Sequence, residues 1–160
     1  MNKKVVLDAD VIIHFSKGDM LSILPTILPE YEYIVLNKVY DEIRGAIKNQ
    51  LDRQIMFLKN ISVIDFNPTG AELREYAMLK RTFGTGESAC MAYCRFNKDI
   101  IGSSNLRDIS NYCKQHKIEY YTTIDFLRFA IDKGIITNIQ ANEFVAKVKS
   151  QGSRLPDITF

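Results

Sequence analysis

Cysteine and histidine are scarce in this chain, with three and two copies in 160 residues. Cys90, Cys94 and Cys113 form no disulfide-rich spacing. His14 and His116 are too few and too separate for a zinc site, and Cys90 with Cys94, one helical turn apart on an apolar face, read as core. Long apolar runs are missing too. Nothing approaches the roughly 20 residues of a membrane span, and Met1-Asn2-Lys3-Lys4 leads into a strand-sized run rather than a secretory h-region. There is no large charge of one sign: 21 Lys and Arg against 19 Asp and Glu leave a net +2. That balance neither demands nor excludes a nucleic-acid partner, and it confines any RNA-binding surface to a local patch. Internal repeats and low-complexity linkers are absent. The expectation is a reduced, cytoplasmic, soluble protein without a membrane partner. With 46% hydrophobic and 25% charged residues, the chain suffices for one well-packed domain and is too short for two ordinary ones.

Short β-rich runs alternate with longer stretches of helical period, the pattern of a parallel sheet covered by helices on both faces. Strands are predicted over residues 4–7, 33–36, 62–66, 99–102 and 118–121. Helices are predicted over 11–16, 20–28 with an interruption at Pro25, 38–48, 52–58, 87–96, 106–116, 124–133 and 138–150. A further helix opens at Thr69-Gly70-Ala71-Glu72, with Thr69 as N-cap, and runs to about Thr82. The expected architecture is a three-layer α/β/α sandwich with a mainly parallel five-stranded sheet over residues 1–150. The tail, 151–160, either docks by Leu155, Ile158 and Phe160 or is disordered.

Three acidic residues stand where a strand or turn hands over to a helix. Asp8 ends the run Lys4-Val5-Val6-Leu7, Glu42 follows Tyr33-Ile34-Val35-Leu36 by a helical turn or so, and Glu87 closes Gly84-Thr85-Gly86. In an α/β fold such positions can converge at the carboxyl edge of the sheet. Converging carboxylates repel one another, so a site built from them usually holds a divalent cation. Each acid also has a plainer role. Asp8 can be an ordinary strand-end carboxylate, although burial after an apolar run makes an unpaired charge costly. Asp10 can cap the first helix as readily as it ligates. Glu42, with Asp41 beside it and Arg44 nearby, suits a solvated helix face. Glu87 suits a helix start favoured by the macrodipole, which leaves the preceding Gly-Thr-Gly unexplained. Asn105 and Asp108 fit the first and last positions of a capping box. Among the basic residues, Arg44, Arg81 and Arg107 lie nearest these junctions and are the candidates for holding phosphates.

These segments resemble the PIN-domain nucleases. Val6-Leu7-Asp8-Ala9-Asp10-Val11-Ile12-Ile13 is similar to the family's opening motif, with Asp8 in the place of its acid. Leu36-Asn37-Lys38-Val39-Tyr40-Asp41-Glu42-Ile43 is similar to the second and places Glu42; Gly84-Thr85-Gly86-Glu87-Ser88-Ala89 resembles the third, a "GxGExxA" turn, and places Glu87. Their succession in this order covers nearly the whole chain. The fourth motif departs from the family pattern: Ile100-Ile101-Gly102-Ser103-Ser104-Asn105-Leu106 puts Ser104 and Asn105 where one or two Asp are usual, and Asp108 is placed to reach the site from the next turn.

The resemblance implies metal-assisted hydrolysis of RNA phosphodiesters by Mg²⁺ or Mn²⁺, held by Asp8, Glu42 and Glu87 with Asp108, Asn105, Ser104 and Asp10 as further candidates. One metal is expected rather than two, because the fourth motif lacks its charges. It also implies an RNA substrate, the toxin role in a toxin–antitoxin pair, an antitoxin partner and a homodimer. Two alternatives stand beside it. One is a PIN-like RNA- or protein-binding module whose altered fourth motif has cost it catalysis. The other is a haloacid dehalogenase-like phosphatase, suggested by Asp8-Ala9-Asp10 and Ser103-Ser104 but lacking the later acidic pair.

Overall fold

The apolar runs become five strands: β1 (Lys4–Leu7), β2 (Glu32–Leu36), β3 (Ser62–Ile64), β4 (Ile100–Gly102) and β5 (Tyr120–Tyr121). These elements belong to a computed structural model that describes residues 2–160. Every neighbouring pair runs parallel, in the order β3-β2-β1-β4-β5. Val5, Val6 and Leu7 of the central strand and Ile100 and Ile101 beside them are fully buried, as strands covered on both faces must be.

The helices are α1 (Ala9–Lys17), α2 (Leu24–Ile27), α3 (Asn37–Tyr40), α4 (Gly45–Arg53), α5 (Gly70–Leu79), α6 (Thr85–Asn97), α7 (Leu106–His116), α8 (Thr123–Asp132) and α9 (Asn138–Ser150). α1 packs against α4, α8 and α9, whereas α6 packs against α3, α5 and α7 and against the three central strands. The result is an α/β sandwich. Phe15 of α1 meets Phe126 edge-on at 6.2 Å and Phe144 at 5.0 Å between centroids, tying one helical layer together. Gly18 closes α1 there because a Cβ would sit 2.2 Å from the Phe144 ring.

Several expectations change. The helix predicted over 38–48 is broken: Gly45 takes φ +63°, and the chain turns through Asp41 to Arg44 before α4 begins. Glu42 therefore sits on a turn. The separate helix predicted over 52–58 is the end of α4 passing into a π-helical turn (Gln54–Leu58), stopped by Lys59 in a left-handed conformation. Pro25 interrupts nothing; it stands in the first turn of α2, where its missing N–H costs no hydrogen bond. β3 ends at Ile64, and the Phe66 amide donates instead to Asn37 Oδ1 at 2.9 Å. Asp99 is outside β4 and accepts from the Lys4 amide at 2.9 Å.

The last residues lie against the domain. The Phe160 amide donates to Asn142 Oδ1 at 2.8 Å, Lys149 pairs with Asp157, and Leu155, Ile158 and Phe160 pack on the core. Among the described residues no helix is long and apolar enough to cross a membrane.

Candidate functional site

Strand order reverses direction between β1 and β4, and a ligand-binding crevice is expected at the carboxyl ends flanking such a point. Asp8 follows β1 directly. Its amide donates to Gly102 O at 2.8 Å, and its extended backbone makes it the N-cap of α1, with the carboxylate accepting from the Ala9 amide at 2.8 Å. The capping role expected of Asp10 thus belongs to Asp8. Asp10, two residues on, accepts from the Val11 amide at 2.7 Å and, across the crevice, from the Ser104 amide at 2.9 Å.

Glu42 and Glu87 arrive from the other side. Glu42 Oε1 accepts from the Gly86 amide at 2.8 Å, and a Cβ on Gly86 would lie 2.6 Å from Glu42 Oε2. That proximity explains the second glycine of Gly-Thr-Gly: residue 86 must lack a side chain for Glu42 to reach the start of α6. Glu87, in the first turn of α6, accepts from the Asn105 side-chain amide at 3.0 Å. The same Asn105 nitrogen donates to Asp108 Oδ2 at 2.8 Å. Asn105 occupies the N-cap position of α7 without accepting a capping bond. It is an amide donor between two carboxylates, not the head of a capping box.

The carboxylates behave as one electrostatic cluster. Burial first, then the charges of Asp10 and Glu42, push Asp8 up to about 7. Burial, followed by Asp8 and Asp108, pushes Glu87 up to about 8, and burial raises Asp10 as well. Asp8 is 7% exposed, whereas Glu42 stands at the open rim.

Two features escaped the sequence reading. Ser103 is fully buried, and its hydroxyl donates to Asp8 Oδ2 at 3.4 Å while accepting from the Asn105 amide. Register supplies the signal: Leu7 pairs with Gly102, so the next residues, Asp8 and Ser103, leave the sheet side by side. The second feature is a buried relay. Ser104 Oγ donates to Thr123 Oγ1 at 2.8 Å and accepts from the Thr123 amide, and Thr123 Oγ1 lies 2.7 Å from His14 Nδ1. Burial pushes His14 down to about 4, so the imidazole is neutral. The Ser104 hydroxyl is therefore committed to α8, and it is the Ser104 amide that serves the acids.

Of the basic candidates, Arg44 turns its guanidinium onto the Asp41 and Ile43 carbonyls beside Glu42, whereas the side chains of Arg81 and Arg107 are exposed and make no hydrogen bond or ion pair among the described residues.

Carboxylate, amide and hydroxyl oxygens are the donor set of a hard divalent cation. As placed, no three His, Cys, Asp or Glu side chains among the described residues are close enough to hold one. Backbone amides and the Asn105 side chain hold the carboxylates in their place. A cation would replace those bonds, and Asn105 would have to turn its amide oxygen inwards.

A parallel sheet in this order, with acids from the end of β1, the α3–α4 turn and the first turns of α1, α6 and α7, defines an α/β domain built around an acidic crevice. The family model DUF3368, described as PIN domain, matches residues 4–160. The chain belongs to the PIN-domain family, whose members are generally nucleases. No curated protein matches it. With this membership the phosphatase alternative falls, and the Gly-Thr-Gly-Glu turn it left unexplained has its place.

Proposed function

We propose that this chain is a metal-dependent endoribonuclease that hydrolyses RNA phosphodiester bonds. The carrying observation is the convergence of Asp8, Asp10, Glu42 and Glu87 on one crevice, where burial and then the charges of Asp10 and Glu42 push Asp8 up to about 7, and burial and then the charge of Asp8 push Glu87 up to about 8. Such a cluster is costly unless a cation or protons neutralise it. Asp8, Glu42 and Glu87 would hold Mg²⁺ or Mn²⁺, with Asp10, Asn105 and Asp108 as neighbours able to lend an oxygen; the committed Ser104 hydroxyl is the weakest candidate. A bound divalent ion lowers the pKa of a water and offsets charge on the phosphoryl oxygens. The chain's own residues orient and select. Ser103 and the Ala9 amide fix the Asp8 carboxylate, Gly86 fixes Glu42, and Arg44, Arg81 and Arg107 supply positive charge around the crevice for the RNA backbone.

Family membership supports the narrower role of toxin in a toxin–antitoxin pair, with an antitoxin protein and a second copy of the chain as partners. Cleavage of single-stranded RNA by the purified chain in Mg²⁺ or Mn²⁺ tests the central reading. Activity should vanish with chelator and in Asp8→Asn; chelator-resistant cleavage, or wild-type rates in Asp8→Asn, would refute it. One observation favours a second reading, a binding module without catalysis: the Asn105 amide already bridges Glu87 and Asp108 where the family has carboxylates. Mn²⁺ binding without RNA cleavage would select it.

A further inference from the structure

The carboxyl edge does not end at the acids. Past Ser104 it opens into a groove of about 370 Å³ between the start of α7, the end of β5, α8 and the C-terminal tail. Leu106, Tyr120, Ile124 and Ile158 give it apolar walls. Leu106 is 44% exposed. Asp125 and Arg128 stand at the polar side, and Arg128 makes no ion pair among the described residues. Pro156 and Ile158 close the far wall, held there by the Phe160–Asn142 bonds and the Lys149–Asp157 pair. Ser104 belongs to both places: its amide holds Asp10, and it lines the groove.

We propose that this groove is a nucleotide subsite, which takes the unpaired base of the RNA nucleotide next to the bond being cleaved and holds that nucleotide's phosphate with Arg128. The choice of occupant rests on the ribonuclease reading. A flat apolar base fits walls of Leu106, Tyr120 and Ile158, and stacking on such walls tolerates any base. The unpaired guanidinium of Arg128 complements a phosphate. Continuity through Ser104 puts the groove one step from the acids, within reach of a strand already in the crevice. A base buried here cannot be paired, so single strands are the substrate form and duplex RNA is excluded.

The test measures binding in chelator, where nothing is cleaved, by fluorescence anisotropy with a short labelled single-stranded RNA, its duplex, and an abasic ribose-phosphate oligomer of equal length. Wild type should bind the single strand at least tenfold more tightly than the other two. Leu106→Ala, at the surface, and Ile158→Ser, on the half-buried tail, should weaken single-strand binding about tenfold and leave the abasic oligomer unchanged. Arg128→Ala should weaken both and flatten the salt dependence by about one phosphate. Equal affinity of wild type for the single strand and the abasic oligomer, or groove variants that bind RNA like wild type, would overturn the subsite. Groove variants that keep RNA affinity while losing a bound polypeptide would reassign the groove to a protein segment and also overturn it. The two readings fail separately. Metal-dependent cleavage with groove-independent binding removes the subsite alone, and groove-dependent binding without any cleavage removes the nuclease reading alone.

Discussion

Asp8→Asn keeps the side chain's shape and both of its contacts, since an amide can accept from the Ala9 amide and donate to Ser103, and it removes one charge from the crevice. In the folded protein the Asp8 carboxyl is pushed up from 3.8 to about 7. At ~1.36 kcal/mol for each pKa unit, keeping it ionised costs the metal-free fold roughly 4 kcal/mol above pH 7. The folded pKa lies above the unfolded one, so the stability tied to this group is complete below about pH 4. It is lost as pH rises towards 7 and is level beyond. Because the charge of Asp10 contributes to the same cost, about 2–4 kcal/mol should be recovered by the single substitution. For a chain of this size that raises Tm by about 5–15 °C. Urea or thermal melts in chelator, at steps from pH 4 to pH 8.5, should show a variant advantage that grows to neutrality and then stays flat. Saturating Mn²⁺ should reverse the ranking, because the ion stabilises only the wild type. An advantage independent of pH, or a variant less stable than wild type at pH 8 in chelator, would refute the idea that the crevice is destabilised to serve a cation.

Gly86→Ala should lower cleavage by about 100-fold with little change in Tm, because its Cβ, 2.6 Å from Glu42 Oε2, displaces an exposed carboxylate rather than the core; single-turnover rates and melts check it. Asn105→Asp exchanges the bridging amide for a carboxylate between Glu87 and Asp108. It should tighten Mn²⁺ binding by calorimetry and cost the chelated protein about 1 kcal/mol at pH 8. Thr123→Val strips the hydroxyl shared by His14 and Ser104 and should cost about 1–3 kcal/mol in urea melts, with Thr123→Ser restoring most of it.

Much of the fold was legible from the chain alone, because the central strands carry their burial in the sequence. Val5-Val6-Leu7 and Ile34-Val35-Leu36 read as covered on both faces, and α7 and α9 have the bounds their periodicity predicts. Misreadings fell where a local pattern competes with backbone geometry. Lys38 to Lys48 has helical periodicity, yet Gly45 adopts a positive φ and the chain turns at Glu42. Tyr33 lies in β2 as its β-propensity predicts, whereas Asp65 and Phe66 leave β3 because Asn37 offers the Phe66 amide a side-chain partner.

For the site, the order of acids along the chain identified Asp8, Glu42 and Glu87 as candidates, since each sits at a junction whose flanking residues announce it. Their mutual position was a matter of tertiary structure. Parallel register sets Ser103 beside Asp8, a contact 95 residues apart that no local pattern encodes. The same holds for Ser104. Its type suggests an oxygen ligand, but a buried threonine on α8, itself bonded to the neutral His14 of α1, captures the hydroxyl and leaves only the backbone amide for Asp10. Residue chemistry at the ends of strands is written in the sequence; the direction each oxygen faces is decided by whichever partner packing brings within 3 Å.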